Sequence, residues 1–165
     1  MYYICTYKFC IYEYMKIEDI IKSTKVLTTE KKTVLNIMYT QNVIAERFNE
    51  LIKPFDLSQE QFNVLRILRG QNGRPANMCV IQERMIAKTS NTTRLVDKLL
   101  LKELVTRGVC AENRRKMEIL ITPKGLTLLE ELDPIVNEHE SLFSKNMTKE
   151  ELVQLNALLE KYRTI

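Results

Sequence analysis

The sequence predicts a mainly α-helical protein that carries one small β-hairpin. Six segments place apolar residues at the three- and four-residue spacing of an amphipathic helix. Two short β-prone runs, LVTRGV and MEILIT, flank the turn-like segment AENRRK, which is the pattern of a hairpin with an exposed basic loop. The helices are predicted at 30–53, 59–69, 78–85 and 90–103, then from residue 123 and from residue 149 onward.

Local signals place the starts of three of these helices. Ser58 with Gln61 and Thr148 with Glu151 have the spacing of a capping box, in which two side chains satisfy the first free backbone N–H groups. Thr122 is an N-cap residue followed by Pro123, and proline is favoured at the first helical position because no intrahelical bond needs its missing N–H. Each helix is therefore expected to begin directly after its cap.

The segment 90–103 has two chemically different faces. Its apolar residues fall on one arc of the helix, namely Leu95, Val96, Leu99 and Leu100. Basic and small polar residues fall on the opposite arc, namely Ser90, Asn91, Arg94 and Lys98. One face is thus predicted to pack against the protein and the other to remain free for a partner.

Positive charge is concentrated around this helix and the hairpin. The residues from Arg84 to Lys116 include nine Lys or Arg and three acids, a net charge of +6 where the whole chain has +4. Contacts from Lys and Arg to phosphates release condensed counterions and supply most of the non-specific affinity for DNA. Together with the order helix, short turn, polar-faced helix and basic hairpin, the charge predicts a winged helix-turn-helix that binds double-stranded DNA.

Three motifs resemble the MarR family of bacterial transcriptional regulators. They read LSQEQFNVLRIL, TTRLVDKL and ENRRKMEILITPKG, and the likeness extends over roughly residues 29–163. The resemblance implies a winged-helix DNA-binding core at 57–122 within a single domain at 17–165. It further implies terminal helices, at 30–53 and 123–165, that build a two-fold homodimer, and ligand-modulated binding to an operator.

Roles for the helix residues follow from the chemistry of DNA. Arg94 can donate two hydrogen bonds to guanine, and the amide of Asn91 can pair with adenine. The hydroxyls of Ser90 and Thr93 suit phosphates or base edges, and Lys88 and Lys98 are expected at phosphates. Thr92 is left out of the site because its angle points it toward the apolar side.

The predicted wing supplies a second set of DNA-binding residues: Asn113, Arg114, Arg115 and Lys116. In the family pattern an Asp stands where this chain has Asn113, so the brace on Arg115 loses its charge. Glu103 stands where the family usually ends its recognition helix with Gly. Leu101 lies on the otherwise polar arc, and its expected role is packing on the following helix or on the wing.

The resemblance implies a repressor at a near-palindromic operator, with a small aromatic or amphipathic effector in a cleft between the first, second and fifth predicted helices. Two alternatives remain open. A winged-helix module can instead be a protein–protein adaptor whose basic face docks an acidic partner. A thiol redox-sensing regulator is the other alternative.

The four cysteines show no metal-binding spacing and no C-x-x-C pair: Cys5, Cys10, Cys79 and Cys110. Cys79 and Cys110 are expected to be small buried hydrophobic residues. No catalytic set, metal ligands or cofactor motif is recognised, so the chain is predicted not to be an enzyme.

Residues 1–16 differ from the rest of the chain. This stretch is aromatic and β-prone, and Met15 opens a segment typical of a bacterial start, so residues 1–16 are interpreted as an atypical extension from an upstream start. They lack the pattern of a secretory signal, and no apolar run approaches the length of a membrane span. The protein is expected to be cytoplasmic and to have no membrane partner.

Overall fold

The computed structural model describes residues 15–88, 91–109 and 117–164. Seven α-helices and three short strands follow one another in these ranges. The helices are α1 (Ile17–Ile20), α2 (Thr29–Ile52), α3 (Gln59–Arg69), α4 (Met78–Arg84), α5 (Thr92–Leu101), α6 (Pro123–Ser144) and α7 (Lys149–Tyr162). The strands are β1 (Ala76–Asn77), β2 (Val105–Val109) and β3 (Met117–Ile121), and a short 3-10 helix at Lys53–Phe55 follows α2.

The chain divides into two compact units, with the boundary inside α2 between Glu46 and Arg47. In the first unit, Lys32 of α2 forms an ion pair with Glu18 of α1, with 2.9 Å between Nζ and Oε1. The second unit, from Arg47 onward, holds the end of α2, helices α3 to α7 and the sheet.

The sheet of the second unit has the strand order β1-β3-β2, and both pairings are antiparallel. Val105 lies opposite Ile121 and Val109 opposite Met117, so β2 and β3 form the two strands of the predicted hairpin. Strand β1 pairs only Ala76 with Ile119 and Asn77 with Glu118, and this third strand was not predicted from the sequence.

One apolar cluster fills the second unit. Apolar faces of α3, α4, α5 and α6 meet the inner face of the sheet, and nine side chains at its centre are almost fully buried: Val64, Leu65, Leu68, Ile81, Val96, Leu99, Ile119, Leu129 and Leu132. Leu95 and Leu100 of α5 are half-buried against the same cluster. The predicted apolar arc of α5 is thereby confirmed.

The capping predictions agree with the structure. Ser58 and Gln61 form both hydrogen bonds of a capping box at α3, as do Thr148 and Glu151 at α7. Thr122 Oγ1 accepts a hydrogen bond of 3.0 Å from the N–H of Gly125, and Pro123 is the first residue of α6. These starts are correct because each signal lies within four residues of the end that it caps.

The predicted bounds of the helix at 90–103 were too wide. Asn91 is the N-cap, since its Oδ1 accepts a hydrogen bond from the N–H of Arg94, and α5 ends at Leu101. Leu101 itself is 85% exposed, so the expectation that it packs on the following helix or the wing is wrong.

The chain leaves α5 through Glu103, whose φ of 60° is in the left-handed region. An L-residue with a Cβ pays roughly 1–2 kcal/mol for this conformation, whereas glycine pays almost no steric cost. Glu103 therefore stands at a position where the backbone favours glycine.

We expect Glu103→Gly to raise the free energy of unfolding by about 0.5–1 kcal/mol. The relief of strain exceeds the extra flexibility of glycine in the unfolded chain and the loss of the exposed ion pair to Lys124. Thermal unfolding measures the change, and Glu103→Gln is the matched control because it removes the charge and keeps the strain. Equal stabilisation by both variants would contradict this explanation.

Candidate nucleic-acid interface

Helix α5 presents a polar face that no part of the described chain covers. Asn91, Thr93, Arg94 and Lys98 are all exposed along it, as the sequence predicted. Neither Arg94 nor Lys98 forms an ion pair with any residue in the described ranges. The two cations are therefore available to an anionic partner.

Asn91 caps the start of α5, in addition to its predicted contact with DNA. Its Oδ1 accepts the Arg94 N–H at 3.1 Å and so caps the helix. Bidentate pairing with adenine requires the same oxygen as an acceptor and Nδ2 as a donor. The cap uses one of the two lone pairs of Oδ1 and fixes the orientation of the amide, so an adenine contact would have to share this oxygen, while Nδ2 is available as a donor.

Gln82 of α4 connects the helices on either side of the turn. Its Oε1 accepts a hydrogen bond from the hydroxyl of Thr92, and its Nε2 donates to the carbonyl of Lys88 at 2.6 Å. Thr92 is only 5% exposed, which agrees with its omission from the predicted site, although its hydroxyl bonds to α4 rather than within α5. Gln82 was not predicted as a functional residue, because no local pattern in the sequence marks a pair ten residues apart.

Lys88 lies exposed in this turn, and its ammonium group donates to the carbonyl oxygen of Glu83. Ser90, predicted on the polar arc of the helix at 90–103, lies outside the described residues. The same is true of the four wing residues, Asn113, Arg114, Arg115 and Lys116. The strands β2 and β3 lead toward that segment from either side.

The base of the hairpin is attached to α5 by an ion pair. Arg107 of β2 donates from Nη2 to Oδ1 of Asp97, on the polar side of the helix. In the sequence both residues contributed only to the net charge of the segment. They are ten residues apart in the sequence, and they meet because the chain turns back after α5 and continues into β2.

Cys79 corrects an expectation. It was predicted to be a buried hydrophobic residue, but it is exposed on α4 and lines an open cleft of about 670 Å³ with Gln82, Asn91 and Thr93. Within a seven-residue helix only one face can pack, and Ile81 occupies that face. Cys110, Cys5 and Cys10 lie outside the described residues.

Comparison with known proteins identifies the family of this chain. A model of the MarR family matches residues 57–117. The HTH-type transcriptional repressor IacR of Pseudomonas putida is 30% identical over 122 residues, which are 74% of this chain and 69% of that protein. The chain belongs to the MarR family. Regulators of the MarR family bind DNA through a winged-helix fold, so the predicted fold class and the predicted family are confirmed.

Solved MarR-type structures have the same fold. A MarR transcription factor from Planctomyces limnophilus is 30% identical, with a TM-score of 0.63 over 84% of this chain and 98% of that one. BpsR of Bordetella bronchiseptica, whose DNA binding is regulated by 6-hydroxynicotinic acid, is 19% identical. Its TM-score is 0.74 over 86% of this chain and 99% of that chain.

MarR-family members are transcription regulators, which are generally not enzymes. Among the described residues, no helix is long and apolar enough to cross a membrane. In the same ranges, no group of three or more His, Cys, Asp or Glu side chains converges as it would around a metal ion.

This MarR-family chain has a small cleft between α3 and α6. The cleft has a volume of about 270 Å³ and is lined in part by Phe62, Arg66, Arg69 and Asp133. Arg69 donates two parallel hydrogen bonds to Asp133, of 2.7 and 2.9 Å, and this contact lowers the pKa of the carboxyl group. The Arg66 guanidinium is 5.8 Å from the centre of the Phe62 ring. Because its charge is not paired with an acid in the described ranges, Arg66 can receive an anionic group in the cleft.

Near this cleft, His139 of α6 is buried between two aromatic rings. Its ring centroid lies 5.6 Å from that of Phe48 and 5.1 Å from that of Phe143, both in edge-on arrangements. Neither ring nitrogen has a hydrogen-bond partner among the described residues. Desolvation lowers the pKa of His139, nearby Arg47 lowers it further, and Glu140 opposes them. The imidazole is therefore neutral at pH 7.

We expect the stability of the protein to fall as the pH drops below about 6.5, the ordinary pKa of histidine. The unfolded chain then binds a proton that folded His139 resists, so protonation favours unfolding. His139 is the single histidine of the chain, which makes the effect assignable. The stability difference between wild type and His139→Phe, followed by urea unfolding from pH 7.5 to 5.5, should change by at most about 1.4 kcal/mol per pH unit. Parallel pH profiles for the two proteins would contradict the prediction.

Proposed function

We propose that this protein is a dimeric, ligand-responsive repressor that binds a near-palindromic DNA operator. The observation that carries the proposal is the uncovered polar face of α5, with Arg94 and Lys98 exposed and unpaired within the described ranges. The name of the similar protein IacR, a transcriptional repressor, supports the direction of regulation.

Within the proposed complex, α5 lies in the major groove. Arg94 reads guanine, and the Nδ2 of Asn91 donates to a base edge or a phosphate. Thr93 and Ser90 contribute hydroxyls, while Lys88 and Lys98 contact phosphates and fix the position of the helix. The wing segment with Asn113, Arg114, Arg115 and Lys116 enters the neighbouring minor groove, where a narrow width attracts arginine.

The proposed dimer is a two-fold pair that uses α7. None of the residues of α7 is buried, although the helix carries five large apolar residues that are 37–64% exposed: Val153, Leu155, Leu158, Leu159 and Tyr162. Leu142 at the end of α6 is 53% exposed as well. A second copy is the proposed occupant, because MarR regulators usually bind DNA as dimers and the half-sites of a palindromic operator lie about 34 Å apart, in successive major grooves.

The proposed effector is a small aromatic or amphipathic molecule with an anionic group, bound in the cleft between α3 and α6. Arg66 offers an exposed cation, which lies over the ring of the nearly buried Phe62 and suits the acid group of an aromatic acid. The regulation of the similarly folded BpsR by 6-hydroxynicotinic acid supports this class of ligand. Its binding would shift the protein away from the conformation that fits the operator.

Fluorescence anisotropy on a labelled fragment of the upstream region of the protein's own gene, and on random duplex, tests the DNA-binding part. We expect a steep linear fall of log affinity with log salt for both duplexes, and tighter binding to the upstream fragment. A protein–protein adaptor would bind neither duplex with a steep salt dependence. Sedimentation of Leu158→Lys tests the dimer, which should dissociate while helix α5 keeps its fold.

A thiol redox-sensing regulator is the second candidate, because Cys79 is exposed beside Asn91 and Thr93. Peroxide should then release DNA from the wild type but not from Cys79→Ser, and a reductant should restore binding. Equal responses of the two proteins would exclude Cys79 as the sensor.

A further inference from the structure

Asp97 is an acidic residue on the face of α5 that is proposed to meet DNA. It follows Arg94 by three positions, and residues with this spacing are neighbours on a helix surface. Its carboxylate could therefore pair with the guanidinium of Arg94. Such a pair would occupy the donors that Arg94 needs for a guanine base.

In the structure Asp97 is paired elsewhere. Its Oδ1 accepts from Nη2 of Arg107, whose side chain is 29% exposed. Arg107 lies opposite Ile119 in the β2–β3 ladder, and Ile119 is completely buried, so the backbone of Arg107 is held at a fixed distance from α5. Arg94 makes no side-chain hydrogen bond or ion pair with any residue that the structure describes.

We infer that Arg107 is a positioning residue for DNA binding: it holds the Asp97 carboxylate toward the hairpin and so leaves Arg94 free to contact DNA. The inference rests on the proposed role of α5. It assigns to Arg107 an action through two other side chains rather than a contact of its own with the DNA.

The proposed role of Arg107 in DNA binding and a role in folding stability predict different effects of its substitution. An exposed ion pair contributes little to folding, so losing the Arg107 charge should hardly change the stability of the protein. The effect on DNA binding is larger, because a released Asp97 both competes for Arg94 and places an unpaired negative charge near phosphates. Small loss of stability with a clear loss of affinity is thus the expected signature.

The experiment compares wild type, Arg107→Gln, Asp97→Asn and the double variant by anisotropy on the bound duplex. Arg107→Gln should weaken binding about tenfold. Asp97→Asn should bind at least as well as wild type, and the double variant should return to within about threefold of it, because no carboxylate is left to capture Arg94. Lys124→Gln is the matched control, since it removes the cation of another exposed ion pair, with Glu103, and should change affinity less than threefold.

A direct phosphate contact by Arg107 predicts a different result. The loss of affinity would then persist in the double variant, and the log–log salt slope would fall by about one unit. That result would overturn the inference while leaving the proposed DNA binding intact, whereas a wild type that binds no DNA would overturn the proposed function itself.

A measurement without DNA gives an independent test. The Nε–Hε signal of Arg94 in nuclear magnetic resonance spectra should move in Arg107→Gln, where Asp97 becomes its partner, and should return in the double variant. An Arg94 signal that is the same in wild type and Arg107→Gln would overturn the inference, whatever the affinities.

Discussion

Gly125→Ala is expected to destabilise the protein by about 2–3 kcal/mol, because the first turn of α6 passes against the backbone of Leu104. A Cβ at residue 125 would lie 2.4 Å from the Leu104 carbonyl oxygen and 2.8 Å from Cγ1 of Ile121. That carbonyl cannot move away easily, since it accepts a hydrogen bond of 3.1 Å from the N–H of Thr122, which caps the same helix. Overpacking of this kind costs roughly 1–3 kcal/mol, and contact with backbone places the cost in the upper half of the range.

Urea unfolding followed by circular dichroism measures the loss, and Gly108→Ala is the matched control. Gly108 lies in β2, and a Cβ there would meet nothing within 4 Å. The control should change the free energy of unfolding by no more than about 0.5 kcal/mol. If the two variants were equally stable, α6 would not pass as closely to Leu104 as described.

Arg94→Ala is expected to weaken binding to the operator by about 1–3 kcal/mol, or about fivefold to 150-fold, and to relax the preference at one base-pair position. The side chain is exposed on α5 and has no partner in the described ranges that would resist its move to a base edge. Binding to random duplex should change much less, because the loss concerns sequence reading.

Lys98→Ala is the companion variant from the same face of α5. It should weaken binding to operator and random duplex alike and reduce the salt slope by about one unit, as expected for a phosphate contact. Competition assays with both duplexes at three salt concentrations would resolve the two patterns. If both variants shifted operator and random duplex equally, the division into reading and positioning residues would be wrong.

The sequence predicted the fold well where signals are local. Helix α3 begins and ends as predicted, because Ser58 caps its start and Gly70 follows its end. The polar and apolar faces of α5 were also correct, since helix periodicity alone determines which side chains share an arc.

Features that depend on distant parts of the chain were missed. Ala76 pairs with Ile119 in a third strand, but a strand of two residues is too short to show a periodic pattern in the sequence. Gln82 with Thr92 and Arg107 with Asp97 meet only after the chain has turned back. The exposure of Cys79 was likewise not predictable, because it depends on which face of the short helix α4 the core covers. Leu101 is exposed because the core does not cover the end of α5.

The exposed C-terminal helix has a thermodynamic consequence. Helix α7 has 14 residues and buries none of them, and isolated helices of about 12–15 residues are only marginally stable in water. The capping box and the proposed contact with a second copy must therefore stabilise the helical conformation of α7. Part of the association energy is spent on ordering this helix, so the dimer should be weaker than its apolar contact area suggests. Helical content should rise with protein concentration, which couples the fold of this segment to the number of copies present.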